Sequence, residues 1–277
     1  MVVTGRGLTP VQRTALLTAH GRALDNESAR PILADALSSE VADKVDAVRE
    51  VKVLTASRLQ IAVRAKGLDR SVRRQLAEHP ASVALDLGAG LDTRVFRVDP
   101  DPSVDWHDVD YPELMDIRRQ VLPDRPHAHL VGASLTEQHW LDRIPGNRHA
   151  VIVAEAVFPF LSQEEIESLV GRLIDHFPSG DLIFNGYPGM AQWVAKLVPS
   201  SLKGIVEIER SKTFTDPRVP ERWHPRLKLA EEVLLARDPE SAQDIDRFPF
   251  LMRIMSRPAA LTPGLARIGA RVLRYSF

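Results

Sequence analysis

Val83-Ala-Leu-Asp-Leu-Gly-Ala-Gly-Leu-Asp-Thr-Arg94 decides how this chain of 277 residues is read. Five residues of strand character run without a break into Gly88-Ala89-Gly90. In a doubly wound sheet the turn after the first strand faces the ligand crevice. Glycine there permits unusual dihedrals and keeps side chains out from between backbone and ligand. A tight turn with no ligand accounts for the same glycines, so the turn alone leaves both readings open.

Outward from that stretch, the chain falls into two textures. Before it, residues 10–78 read as helix. Thr9-Pro10 opens the stretch, a second start lies at Ser28 to Pro31, and apolar positions three and four apart run from Val45 to Glu78. His79-Pro80 ends it. After it, apolar strand-like runs alternate with helical segments. The runs are Ser82 to Leu87, Val104 to Val109, His129 to Val131, Ala150 to Ala154 and Asp181 to Asn185. The helical segments are Pro112 to Val121, Glu137 to Leu141 and Gln163 to His176. This rhythm predicts βαβ units and a parallel sheet covered by helices.

Past Gly186 the rhythm breaks. Residues 187–222 are mixed and charged and read as a lid insertion. Leu227 to Ala236 fits a strand or a short helix, and Arg271 to Phe277 alternates like a half-buried strand. The expected division is a helical cap over 1–79 and an α/β domain over 80–277, with the lid at about 187–225.

Bulk properties narrow the function classes. There is no cysteine, which removes disulfides, thiolate nucleophiles and thiolate metal ligands. The formal net charge is −1 with basic residues dispersed, which predicts no nucleic-acid partner and no membrane patch. No apolar run approaches the roughly 20 residues of a membrane span. The start of the chain lacks the apolar run of a signal peptide, so a cytoplasmic location is expected. The nine histidines form no HxxxH or His-carboxylate cluster typical of metal ligands, and no metal is expected.

Asp110 strengthens the ligand reading of the turn. It lies at the end of Val104-Asp-Trp-His-Asp-Val-Asp110, 22 residues after Gly88. A carboxylate about 20 residues past the glycine turn can take both ribose hydroxyls of a nucleoside ligand. Capping the helix that opens at Pro112 is the other role open to it. A dinucleotide fits poorly, because Thr93 stands where its third glycine would be and Asp92 would repel a pyrophosphate. S-adenosylmethionine carries no phosphate and escapes both objections.

LGAGLDTRVFRVDP, DVDYPELMDIRRQVLP and VIVAEAVFPFL, in that order, resemble the leucine carboxyl methyltransferase family. The likeness is to its bacterial branch, similar to the tetracenomycin polyketide O-methyltransferases. VRAKGLD, VGASLTEQHWLDRIP and LIDHFPSGDLIFNGY extend the match. The resemblance implies a Rossmann-like class I methyltransferase: a mostly parallel seven-stranded sheet with an antiparallel last strand, an N-terminal helical cap and a lid after the fifth strand. It implies S-adenosyl-L-methionine as cofactor. By the same resemblance Arg64 pairs with the methionyl carboxylate, Gly88 and Gly90 pass close to the ligand, and Asp110 takes the ribose. Ser134 and Leu135 flank the adenine, and Glu155 contacts the cofactor from the fourth strand. Ser134 stands where the protein-methylating branch has Asp, and Ala156 replaces a frequent Gly. Arg13 and Arg22 both stand as candidates for closing the site.

The expected activity is O-methylation of a carboxylate or phenolic hydroxyl on a small, polyketide-like acceptor. No residue declares itself a general base. His107, expected near the ligand edge of the sheet, His224 and Tyr187 are the nearest candidates, each with a structural role as the plainer reading. Three competing readings remain: carboxyl methylation of a protein C-terminus, a nicotinamide-dependent oxidoreductase, and a non-catalytic nucleoside-binding module.

Overall fold

The computed structural model describes residues 2–5, 7–186, 214–248, 250, 253–254, 262–267 and 269–277. Its strands are β1 (Val83–Leu87), β2 (Asp105–Asp110), β3 (Ala128–Gly132), β4 (Ala150–Ala154), β5 (Gly180–Gly186), β6 (Lys228–Leu234) and β7 (Arg271–Ser276). They form one seven-stranded sheet in the order β3-β2-β1-β4-β5-β7-β6. β1 to β5 are parallel, and β7 runs antiparallel to both β5 and β6. The strand order reverses between β1 and β4, so the crevice of a doubly wound sheet opens beyond their carboxyl ends. The undecided segment Leu227 to Ala236 is largely strand β6, pinned by β7 from Lys228 to Leu234.

The described helices are α1 (Thr14–Asn26), α2 (Ala36–Lys44), α3 (Thr55–Glu78), α4 (Arg94–Val98), α5 (Pro112–Val121), α6 (Gln163–His176), α7 (Pro239–Ile245) and α8 (Pro263–Ala266). Among the described residues no helix is long and apolar enough to cross a membrane. On one face of the sheet, Leu59, Leu68, Val72 and Leu76 of α3 pack with Ala84, Val151, Ile183 and Val272. On the other, Ile166, Leu169, Val170 and Leu173 of α6 pack with Leu85, Ile152 and Leu182. Each such buried aliphatic side chain contributes about 1.5–3 kcal/mol by leaving water. The start of α6 is fixed by a capping box, in which Ser162 Oγ accepts from the Glu165 N–H and the Glu165 carboxylate accepts from the Ser162 N–H.

Two expected helices differ. The helix predicted from Val45 begins only at Thr55. Valines at 45, 48, 51 and 53 are β-branched and favour extended backbone. Val45 bridges to Val3, and the Asp46 carboxylate accepts from the Gly5 N–H. In place of a helix over Glu137 to Leu141 there is a short 3-10 turn, Leu141–Arg143. Arg172 of α6 takes the carbonyls of Leu135 and Glu137, which holds that segment against the sheet instead.

A separate cluster joins α1 and α2 to α5. Leu16, Ala19, Ala23 and Val41 pack on Leu91, Leu114, Ile117 and Val121. The first two helices thereby lie over the loop that follows β1. Of the expected lid, residues 187–213 lie outside the described residues. The part that follows packs on the core: Trp223 is buried against Phe158 and Phe184, and Tyr275 donates to the Pro217 carbonyl.

Candidate functional site

The glycine turn folds back on β2. Gly88 and Gly90 have φ of +66° and +50°, in the left-handed region where side chains are strained. A Cβ on Gly88 would also come within 2.5 Å of Val157. The Gly88 N–H donates to the Val109 carbonyl, and the Gly90 N–H donates to Asp110 Oδ2 at 2.7 Å. Asp110 Oδ1 accepts from the Tyr111 N–H at 2.7 Å. Asp110 is therefore a clamp on the turn, while the N-cap of α5 is Tyr111, which makes no side-chain cap bond. Each carboxylate oxygen has a second lone pair for another donor. At 8% exposure, burial pushes the Asp110 carboxyl above its ordinary pKa, against the pull of the two N–H groups.

Two further contacts steady this corner. The Ala133 N–H donates to the Asp110 carbonyl, which brings Ser134 and Leu135 to the same end of the sheet. Ser134 Oγ lies 2.8 Å from Thr136 Oγ1, and Leu135 packs on the core. Buried Arg118 donates to the carbonyls of Gly90 and Asp92 and pairs with Asp108. Nothing in the local spacing marks Arg118, one of two adjacent arginines on an amphipathic helix.

Glu155 follows β4 directly and is nearly buried. Arg64 reaches its Oε1 with Nε at 2.9 Å and Nη2 at 2.8 Å. Arg94 takes Oε2, and Arg22 stands 3.7 Å from that oxygen. Burial would raise the Glu155 carboxyl, but Arg64, Arg22 and Arg94 together lower it to about 2. Arg64 and Glu155, both assigned to the cofactor, thus touch one another. Ala156, next in line, has φ of +59°, and its N–H is held by Asn185 Oδ1 at 2.8 Å.

Asp92 requires a correction. It does not present its charge to a ligand: it is buried and pairs with Arg22 at 2.8 Å and Arg97 at 2.7 Å. Its carboxyl stays well below the usual range because Arg22, Arg97 and Arg94 outweigh burial. The argument against a pyrophosphate from Asp92 lapses; the one from buried Thr93 stands. Between Arg13 and Arg22, the structure brings Arg22 to the site, while Arg13 is exposed at the head of α1.

The centre of this network is Arg94, which the sequence reading passed over. It is 1% exposed and contacts Asp69 and Asp86 at 2.9 Å as well as Glu155. Arg97 continues it to Asp69 and Asp35. A clue was present, since Asp86 inside an all-apolar strand demands a buried cation.

The other candidates fall away from this cluster or outside it. Tyr187 lies outside the described residues. His107 turns toward Asp105 and His129, at the beginning of β2 and away from its carboxyl end. His224 Nδ1 accepts from the Arg226 N–H. Although local spacing marked no metal-binding histidine–carboxylate group, among the described residues the fold assembles two: His79 with His149 and Asp181, and Asp105 with His107 and His129.

Comparisons with known proteins agree with this architecture. The leucine carboxyl methyltransferase family profile matches residues 15–174. The chain is 39% identical over 274 residues to the tetracenomycin polyketide synthesis O-methyltransferase TcmP of Streptomyces glaucescens, covering 98% of each chain. It is 26% identical to the S-adenosyl-L-methionine-dependent methyltransferase dpfgK of Gibberella zeae, over 83% of this chain and 84% of that one. Among solved structures, a DUF574 family protein of Streptomyces avermitilis superimposes with a TM-score of 0.59 at 15% identity, covering 93% of this chain and 96% of that one. The CcbJ methyltransferase of Streptomyces caelestis gives 0.51 at 16% identity, covering 85% and 95%. The chain belongs to the leucine carboxyl methyltransferase family.

Proposed function

We propose that this S-adenosylmethionine-dependent O-methyltransferase acts on a carboxylate or phenolic hydroxyl of a small, polyketide-like metabolite. In this reading Arg64, Gly88, Gly90, Asp110, Ser134, Leu135 and Glu155 hold the methyl donor. The observation that carries it is the Asp110 carboxylate, locked by the Gly90 and Tyr111 N–H groups at the end of β2 with acceptor capacity left over. That is the chemistry a ribose diol needs. Glu155, ionised at neutral pH, suits a positively charged ligand, and Arg64 can exchange its grip on Glu155 for a carboxylate of the donor. The tetracenomycin relative supports a polyketide-like acceptor.

When bound, the donor supplies a methyl group already activated by a cationic sulfur. The chain has to align the acceptor oxygen with that group and keep water out. For a carboxylic acid, ionised at neutral pH, positioning is sufficient; a phenol with pKa about 10 gains from a proton acceptor. In this reading acceptor contacts come from the helices of residues 1–79 and from the segment at about 187–225, of which 187–213 lie outside the described residues. The protein works in the cytoplasm without nucleic-acid or membrane partners.

Calorimetry with S-adenosylmethionine tests the donor site. Saturable binding is expected, and Asp110→Ala weakens it tenfold or more, about 1.4 kcal/mol. Unchanged affinity in that variant removes Asp110 from the site. Transfer of a labelled methyl group to a panel of aromatic polyketide acids and phenols then tests the acceptor. Donor binding without transfer to any member would favour a different acceptor class.

A further inference from the structure

We propose that Asp105, His107 and His129 form a binding site for one divalent transition cation of the zinc class, pinning edge strand β3 to β2. Asp105 and His107 are two residues apart on β2 and therefore share a face. His129 of β3 lies opposite His107 in the parallel register, on that same face. His129 Nε2 is 2.9 Å from Asp105 Oδ1, and His107 Nε2 is 3.2 Å from Oδ2. One ligand atom from each residue lies within 4.8 Å of the others.

His107 points independently to a ligand. It is 5% exposed; its Nδ1 is buried without a hydrogen-bond partner, and its Nε2 meets Asp105 Oδ2 only at 3.2 Å and outside hydrogen-bond geometry. An unsatisfied buried polar group is destabilising, and a cation on Nε2 would relieve part of that cost. His129 is 54% exposed, which leaves room for closure and for water as the fourth ligand of a tetrahedral ion.

Arg148 is the group a metal must displace. Its Nη2 lies 3.1 Å from Asp105 Oδ2, and its Nη1 already reaches the carbonyls of Ala81 and Ser103, to which it can retreat. The group His79, His149 and Asp181 is the weaker candidate. His149 spends Nδ1 on Ser179 and Nε2 on Asp181, and Arg274 holds Asp181 at 2.7 Å. Asp105 and Asp110 stand at opposite ends of β2, about 16 Å apart at ordinary strand rise. The ion would therefore act on stability and leave methyl transfer alone.

The test uses the full chain without an affinity tag, stripped with a chelator and titrated with Co²⁺ and then Zn²⁺. The expected result is one Co²⁺ per chain, with visible absorption from imidazole ligation that Zn²⁺ abolishes, and a higher Tm with Zn²⁺. His129→Ala, at a half-exposed position that should tolerate truncation, is expected to lower metal affinity at least tenfold while S-adenosylmethionine binding is unchanged. His149→Ala is expected to leave metal affinity as it was. Absence of saturable binding at millimolar metal, or equal affinity in His129→Ala, overturns the proposal. Loss of binding in His149→Ala but not in His129→Ala overturns it too, by moving the ion to the other cluster.

Discussion

At the carboxyl end of the strands, Arg94 faces Asp69, Asp86 and Glu155, and Arg97 faces Asp35, Asp69 and Asp92, all out of water. At the amino end, Asp105 is shared among Arg148, His107 and His129, two of which reach solvent. The residue types overlap, and the energetics do not. A buried charge with several opposite partners is tolerable only while all of them remain, because desolvation has already cost several kcal/mol per ion. A half-exposed pair exchanges with water and is nearly dispensable. The upper network thus holds the residues proposed to bind the cofactor in one arrangement, and the lower one is open to rearrangement.

Arg94→Met breaks this contrast most severely. It leaves Asp86, Asp69 and Glu155 short of a cation, with an expected loss of about 3–5 kcal/mol in chemical denaturation. Arg148→Met, at the other end, is expected to cost less than about 1 kcal/mol. Equal losses would mean that burial does not set the difference.

Acid separates the two ends by pH window. The folded protein holds Glu155 at about 2 against an ordinary value of 4.5. Its contribution is complete above the unfolded value and is lost as pH falls toward about 2. His107 is also depressed, but from 6.5, so the unfolded chain takes up a proton that the folded one resists. Stability from that source is lost as pH falls below about 6.5, a higher window. Each group contributes a decline in its own window, set against the opposite slope from Asp86, whose carboxyl burial raises to about 7. Glu155→Gln should flatten the lower decline and His107→Gln the upper. A variant that flattens the opposite window contradicts the assignment.

The sequence made part of the carboxyl end legible and hid the rest of it together with the amino end. The turn and Asp110 could be read because the glycine follows its strand directly, the carboxylate comes 22 positions after Gly88, and both sit in a periodic rhythm. All seven strands appeared in the pattern, although the segment that becomes β6 fitted a helix equally well. The arginine network could not be read this way. Arg94 meets partners 25 and 61 positions away, and Arg64 meets Glu155 across 91. An arginine in a charged segment looks solvated until the fold puts carboxylates around it. The histidine groups were missed for the same reason, since strand register assembles them and local spacing does not.

The smallest effect tests how Glu155 is aimed. Ala156 sits at φ +59°, where a Cβ costs about 1–2 kcal/mol. Its N–H is nevertheless held by Asn185 Oδ1, so the strained turn after β4 is imposed by β5. Ala156→Gly removes the strain but adds about 0.4–1 kcal/mol of unfolded-chain entropy. The net expectation is a gain of about 0.5–1 kcal/mol in urea denaturation, with S-adenosylmethionine affinity unchanged because Glu155 keeps its three arginines. A gain in stability together with weaker cofactor binding would show instead that the strain helps to aim Glu155. A loss of stability would show that the Ala156 methyl packs well enough to outweigh its backbone.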